Sequence, residues 1–291
     1  MATSMTLALA DRGTLPRAAP MTPPAALRGF RIQKISAGHA VELNDQLAVE
    51  APLELRISAG GAPKNVSITL RTPGHDPDWA FGFLFSEGII RRAEEVTRID
   101  SDGTRVDVTL GEGLTPNFTP LERNSYTSTS CGACGKSSLA GLRIELPNKK
   151  VSTLARLPAS LIPGLPARLR ERQAGFEQTG GMHASALFDL EGKLLLLRED
   201  VGRHNALDKV IGAALRAGLL PLNRHILLLS GRISFELVQK AALAGIQLIV
   251  AIGAPSSLAV ELAEEHSVTL IGFLRGETFN IYCGEERILR N

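Results

Sequence analysis

The chain is 291 residues long, 44% hydrophobic, and sets 32 Lys and Arg against 30 Asp and Glu for a formal charge of +2. That length can bury the cores of two ordinary domains, while the charge is too balanced to point to nucleic acid or a membrane surface. No apolar run approaches the roughly 18 residues of a membrane span. No basic segment precedes the short apolar part of residues 1–10, so no secretory signal is expected. Three cysteines, two of them in a C-x-x-C, do not build a secreted disulfide framework. The expectation is a cytoplasmic protein whose cysteines do chemistry.

In chain order, residues 1–28 are rich in Ala, Pro and Thr without periodicity and read as a disordered tail. Leu53–Ile57 and Val66–Leu70 alternate apolar and polar residues around Gly60-Gly61-Ala62-Pro63, the pattern of a hairpin. Asp76 suits a helix N-cap and Pro77 a first helical position, opening a helix to Ser86 that Gly88 can end. Val96–Ile99 and Arg105–Leu110 form a further antiparallel pair across Ser101-Asp102-Gly103. Residues 29–150 therefore read as a small α+β domain that ends in the cysteine loop. Leu157, Leu161, Leu165 and Leu169, interrupted by Pro158, Pro163 and Pro166, make residues 151–178 a linker with one short helix. From 179 to 291 the texture is α/β. Strands Ser185–Asp189 and Lys193–Leu197 precede a helix that Asn205 can cap. The apolar strands Ile226–Leu229, Leu248–Ile252 and Val268–Leu274 are then separated by helices of about ten residues, and Thr278–Tyr282 can add a last strand. Such strands predict a sheet covered on both faces, with right-handed crossovers.

Three constellations could carry chemistry. The first is Ser130-Cys131-Gly132-Ala133-Cys134-Gly135-Lys136, a loop of small residues with cations nearby that favour thiolate. A structural zinc site needs four ligands, yet only Cys283 remains and no His stands at finger spacing. A thioredoxin-like dithiol needs a helix where Gly135 and two serines follow. Sulfur transfer fits a thiolate that accepts sulfane sulfur and a neighbour that releases it by closing a disulfide. The motif alone does not choose among these. The second constellation joins Thr179–Ser185 to Arg198–Asn205, including Arg203 and His204. It reads either as the lining of a crevice at strand ends or as a structural ion-pair network of Arg198, Asp200 and Arg203. The third is a set of small-residue turns after apolar strands: Ser230-Gly231-Arg232, Gly253-Ala254-Pro255-Ser256-Ser257, and Gly272 through Gly276 with Arg275. Three such turns on one sheet edge suit an anionic, nucleotide-like ligand, although simple tight turns would also explain them.

Taken together, these segments resemble the formate dehydrogenase accessory sulfurtransferase family, FdhD. The resemblance covers roughly residues 30–290. Beyond the cysteine motif it rests on Arg71-Thr72-Pro73-Gly74, Gly82–Ile90, Gly180-Gly181-Met182-His183-Ala184, Arg198–Lys209, Ser230-Gly231-Arg232, Gly253–Ala259 and Gly272-Phe273. It implies a carrier between a cysteine desulfurase and the molybdenum bis-pyranopterin guanine dinucleotide cofactor of formate dehydrogenase. It implies, too, that Cys131 bears the persulfide beside Cys134, and that the protein is a homodimer. By position, a cofactor-binding segment falls on Phe273, Leu274, Arg275, Gly276, Glu277 and Thr278; Arg203, His204 and Arg232 join it as candidates for guanine nucleotide. Cys283 is expected to pack as a small apolar residue.

The family's second domain is similar to cytidine deaminases, whose H-x-E and P-C-x-x-C hold zinc. Here those stretches read His183-Ala184-Ser185 and Pro255-Ser256-Ser257-Leu258-Ala259, so no zinc is expected. A dithiol oxidoreductase, or a cofactor-binding chaperone without sulfur transfer, are the alternatives to a sulfur carrier.

Overall fold

The computed structural model describes residues 26–114 and 155–290. Cys131 and Cys134 lie outside the described residues.

The chain opens with a two-stranded antiparallel ribbon, β1 (Leu27–Ser36) and β2 (His39–Ala48). The first strand thus begins inside the stretch read as a tail. A four-stranded sheet follows in the order β4-β3-β6-β5, built from β3 (Ala51–Ser58), β4 (Lys64–Arg71), β5 (Val96–Ser101) and β6 (Arg105–Leu110). The expected hairpins, β3 with β4 and β5 with β6, are both present. They join through a parallel pairing of β3 with β6. Alternation along β3 buries Leu53, Leu55 and Ile57, and Val106, Val108 and Leu110 continue that face on β6. Helix α1 (Asp76–Ser86) covers it with Trp79, Ala80 and Leu84. Its cap differs from expectation. His75, in the left-handed region at φ 57°, is the N-cap, and Asp76 is turned instead into a buried ion pair with Arg71 at 2.8 Å.

The second sheet has six strands in the order β13-β12-β11-β10-β8-β9. They are β8 (His183–Phe188), β9 (Leu194–Asp200), β10 (Ile226–Leu229), β11 (Leu248–Ala251), β12 (Thr269–Arg275) and β13 (Thr278–Cys283). Only β10, β11 and β12 run parallel; β8, β9 and β13 are antiparallel to their neighbours. The sheet is therefore mixed. Helices α4 (Arg203–Arg216), α5 (Phe235–Leu243) and α6 (Ser257–Glu265) supply one covering layer through Val210, Leu237, Val238 and Leu262.

The other layer corrects the linker expectation. Residues 155–170 include the two-residue strand β7 (Leu157–Pro158) and helix α2 (Leu165–Arg170). They pack Leu157, Ile162, Leu165 and Leu169, all 0% exposed, against Ala186, Phe188, Leu228 and Val250. Helix α3 (Ala174–Thr179) then leads into β8, and β14 (Ile288–Leu289) pairs with β7. The prolines shape this segment without expelling it from the core. Pro163 lies in a 3-10 turn and Pro166 in the first turn of α2, where a missing N–H costs nothing.

The two sheets meet through α1 and α4. A methyl group added to Gly82 would overlap the carbonyl oxygen of Asp208, and one added to Gly212 would overlap that of Asp78. Each helix thus presses bare backbone against the other, an approach only glycine permits. Polar side chains lock the contact. Asp78 accepts from Arg198 at 2.8 Å and pairs with Arg216, and Ser86 Oγ donates to Asp208 at 3.1 Å. Gly212→Ala should lower unfolding stability by about 1–3 kcal/mol or more, the range for overpacking. Urea denaturation would show this, and an unchanged midpoint would mean that the helices can separate freely.

Candidate functional site

The candidate site forms where β10, β11 and β12 end. Leaving β10, Ser230 is clamped to the start of β8: its amide donates to Ala184 O at 3.0 Å, and its hydroxyl accepts from Ala184 N at 2.8 Å. Gly231 lies under the His183 imidazole, and a Cβ there would sit 3.0 Å from Nδ1. Gly253 donates to Gly231 O at 3.1 Å, Ile233 to Ala254 O at 3.0 Å, and Phe273 to Gly253 O at 3.1 Å. A Cβ on Gly253 would meet Arg232 N at 2.8 Å, and one on Gly272 would meet Gly253 O at 2.9 Å. The two turns after β10 and β11 and the β12 backbone at Gly272 are therefore stacked on one another, and no side chain fits between them. The sequence reading of three strand-end turns holds for two, since Gly272 lies within β12, which runs on to Arg275.

Charge gathers at this edge. The neutral form of His183 is favoured: burial pushes its pKa down, and Arg203, His204 and Arg232 push the same way against Asp200. These four groups therefore act on His183 within one neighbourhood, which joins the second constellation to the third. Arg203 and His204 occupy the first turn of α4, which Gly202 rather than Asn205 caps. His204 is buried, with Nε2 3.0 Å from Glu236 Oε2 and 3.2 Å from Ser234 Oγ. Ser234 is the N-cap of α5. The His204 contact thus ties together the N-termini of two helices, each carrying the partial positive charge of its free N–H groups.

The segment 273–278 divides by residue. Phe273 is 41% exposed and left-handed at φ 54°, an uncommon conformation for an aromatic residue and a mark of local strain. Arg275 lies with its guanidinium carbon 5.6 Å from the Phe273 ring centroid. Leu274 points the other way and is buried in the core with Ile271 and Phe279, so its side chain is not available to a ligand. Gly276, left-handed at φ 54°, and the exposed Glu277 make the turn into β13, and Thr278 Oγ1 closes it on Arg275 O at 3.0 Å. Cys283 is half-buried, donates to Val268 O at 3.2 Å and packs on the α-helical side of the sheet. Burial raises its pKa, which keeps it a thiol.

The structural alternative for the second constellation is also present, with other partners than expected. Arg198 pairs with Asp78 of α1, and Asp200 pairs with Lys209 at 2.6 Å. Asp200 accepts as well from Thr72 N at 3.1 Å and Gly202 N at 2.8 Å. Asn205 reaches into the other sheet, donating to Leu70 O at 2.8 Å and accepting from Trp79 Nε1 at 3.1 Å. Sequence reasoning missed Lys209 and Asn205 in these roles. The available signal was two polar residues at positions 205 and 209, one turn apart on a helix.

Lys209 and Asp200 are 1% and 0% exposed, so neither charge can turn to water if its partner is lost. Lys209→Met should therefore cost about 3–5 kcal/mol. The paired variant Asp200→Asn, Lys209→Met should recover part of that in equilibrium unfolding, and equal stability of wild type and the single variant would refute the buried pair's role.

The sequence profile described as the FdhD/NarQ family matches residues 48–289. A protein of Streptomyces avermitilis named "Sulfur carrier protein FdhD" is 48% identical over 89% of this chain and 94% of its own. One of the same name from Mycolicibacterium paratuberculosis is 47% identical over 89% and 97%, and one from Sulfolobus acidocaldarius 40% over 90% and 98%. Among solved structures, a putative formate dehydrogenase accessory protein from Desulfotalea psychrophila superposes with a TM-score of 0.72 at 25% identity. It covers 91% of this chain and all of that one. On the profile match and on identities well above the level at which families diverge in fold, the chain belongs to the FdhD/NarQ family.

Proposed function

We propose that the protein is a sulfur carrier that serves formate dehydrogenase by bringing sulfane sulfur to its molybdenum bis-pyranopterin guanine dinucleotide cofactor. What supports the reading is a conjunction in one chain. A member of this family carries Cys131-Gly132-Ala133-Cys134, and its backbone at Gly231, Gly253 and Gly272 is stacked at one sheet edge, with Arg232 in the turn after β10 and Arg203 and His204 in the first turn of α4.

In the first step the Cys131 thiolate attacks the terminal sulfur of a cysteine desulfurase persulfide. A sulfur–sulfur bond forms at Cys131, and the desulfurase cysteine leaves as thiolate. For delivery as sulfide, the Cys134 thiolate attacks the Cys131 sulfur and expels the terminal sulfur. The two thiols supply both electrons and become a disulfide, which a thiol reductant must reopen. The activity is thus that of a sulfurtransferase, and the dithiol is consumed and restored once per sulfur.

The client's guanine dinucleotide is anionic. The arginines offer charge-assisted hydrogen bonds to phosphate. Phe273 presents an exposed aromatic face beside Arg275, a surface on which a purine can stack. On this reading the six-stranded domain is a cytidine-deaminase-like fold turned to holding nucleotide. The positions that would carry its thiolate ligands hold Ser256, which caps α6 by accepting from Ala259 N at 3.3 Å, and the buried Ala259.

Incubation with a desulfurase and cysteine should add about 32 Da, one sulfur, to the intact protein. Cys131→Ala should remove the adduct and formate dehydrogenase activation together, while Cys283→Ala keeps both. An adduct that persists in Cys131→Ala, or none in wild type, would overturn the carrier role. The nucleotide site is tested by titrating GDP in a calorimeter. Binding should weaken roughly ten- to a hundredfold in Arg232→Ala, the loss of one charged hydrogen bond, and be unchanged in Cys131→Ala. Absence of GDP binding at millimolar concentration would remove this edge from the proposal without touching the cysteine chemistry.

A further inference from the structure

Ser234, His204 and Glu236 gather where the first turns of α4 and α5 meet. Their residue types are those of a hydrolase triad, but their geometry is not. In a triad the serine and the carboxylate stand on opposite nitrogens of the imidazole, so a proton can be handled at one while the other is held. In this cluster Ser234 Oγ at 3.2 Å and Glu236 Oε2 at 3.0 Å both stand on Nε2 of His204. The arrangement does not activate the serine, and the carboxylate has another use.

A carboxylate accepts hydrogen bonds and donates none, so Nε2 carries the hydrogen and gives it to Glu236. That bond fixes both side chains. It leaves two buried atoms, His204 Nδ1 and Glu236 Oε1, with no hydrogen-bond partner among the described residues. Each residue is only 9% exposed, so bulk water does little for either atom. With the hydrogen on Nε2, both orphaned atoms are acceptors. A buried acceptor without a donor is costly, and folded proteins keep few of them without a reason.

The neighbouring groups indicate which donor is missing. Arg232 follows β10 and Arg203 opens α4, and both supply donors for phosphate. An acceptor beside them repels phosphate oxygens and suits an N–H on a ring of the same ligand. The guanine and the pterin of a pyranopterin guanine dinucleotide share such an edge: a ring N–H flanked by an exocyclic amino group and a carbonyl. We propose that Glu236 is a specificity-determining residue of this site, its Oε1 accepting from the exocyclic amino group that guanine and pterin have in common, with His204 as the positioning residue that holds the carboxylate. The proposal rests on the reading of the strand-end edge as the cofactor site and adds which feature of the ring is selected. The terminal torsion of a glutamate is broad, so a small turn of the carboxylate brings Oε1 to a ring docked at the first turn of α5.

Glu236→Gln tests this at one atom. The Nε2–H of His204 still needs an acceptor, so the amide oxygen faces His204 and the amide NH₂ takes the place of Oε1. An acceptor becomes a donor, with the shape unchanged. Two pairs of probes are titrated up to millimolar concentration: pterin against lumazine, in which an oxo group replaces the amino group, and GDP against IDP, which lacks it. Wild type should bind the amino member of at least one pair ~10-fold or more tightly than its partner, the scale of one hydrogen bond to a charged group. The pair that shows the preference identifies the ring that docks. In Glu236→Gln a preference for GDP should vanish, and a preference for pterin should reverse toward lumazine, with an unchanged thermal midpoint as the control for folding. The wild-type preference is decisive without any variant. If wild type binds pterin or GDP but never prefers the amino member, Glu236 does not select the ring and the cofactor edge still stands; Oε1 then holds no more than an ordered water. A preference that survives in Glu236→Gln would also overturn the proposal. Failure of wild type to bind either ring would remove the edge assignment, and this proposal with it.

Discussion

The contact between α1 and α4 is the constraint on which the rest of the molecule depends. Two helices from different sheets approach so closely that Gly82 and Gly212 meet backbone rather than side chain. The same seam holds Asp78 between Arg198 and Arg216, and Asp200 against Lys209. The apolar cores run up to it from both sides: Leu215 of α4 packs into the core of the four-stranded sheet. Dispersion at short range and charge pairs cut off from solvent act here at one place. The two sheets therefore form a single rigid unit, although the sequence divides into two textures.

That rigidity bears on the strand-end edge. Asp200 ends β9 and fixes Gly202, the residue that caps α4, so Arg203 and His204 inherit their positions from the seam. His204 passes this order to α5 through Ser234 and Glu236. The glycine turns do the same across the sheet by direct backbone bonds. A candidate binding edge whose side chains are set by buried pairs spends little conformational entropy when it engages a ligand. Arg198, Asp200 and Asn205 build the seam, and Arg203 and His204 follow it in the first turn of α4.

Much of this was legible in the sequence where the signal is local. Period-two burial marked β3 and β4, the Asp-Pro start marked α1 within one residue, and the apolar tetrads of β10 and β11 were read as buried strands. What escaped depends on long-range pairing. The parallel pairing of β3 with β6 leaves no trace in either strand's alternation. Leu157, Leu165 and Leu169 looked like linker residues because three prolines broke their helical periodicity, yet a covering layer needs apolar volume and not regular structure. Asn205 looked like a cap because its chemistry suits one, but Leu70 O and Trp79 from the other sheet compete for the same amide. At the site, the small-residue turns were visible as glycines after apolar runs. The left-handed Phe273 was not, since its conformation is imposed by a register shift between β12 and β13.

The reach of α4 into the first core also has a consequence for synthesis. A ribosome makes a chain from its N-terminus, and domains generally fold as they emerge. Here the four-stranded sheet is complete once Leu110 has appeared, but the helix that covers α1 is not made until Arg216, and β7 waits for Ile288 to pair with it. The first half of the nascent chain must therefore hold Gly82 and the Asp78 carboxylate uncovered for about a hundred residues of elongation. Contacts so distant in sequence slow folding and prolong exposure. Until α4 has been made, the four-stranded sheet and α1 lack the surface that completes their core.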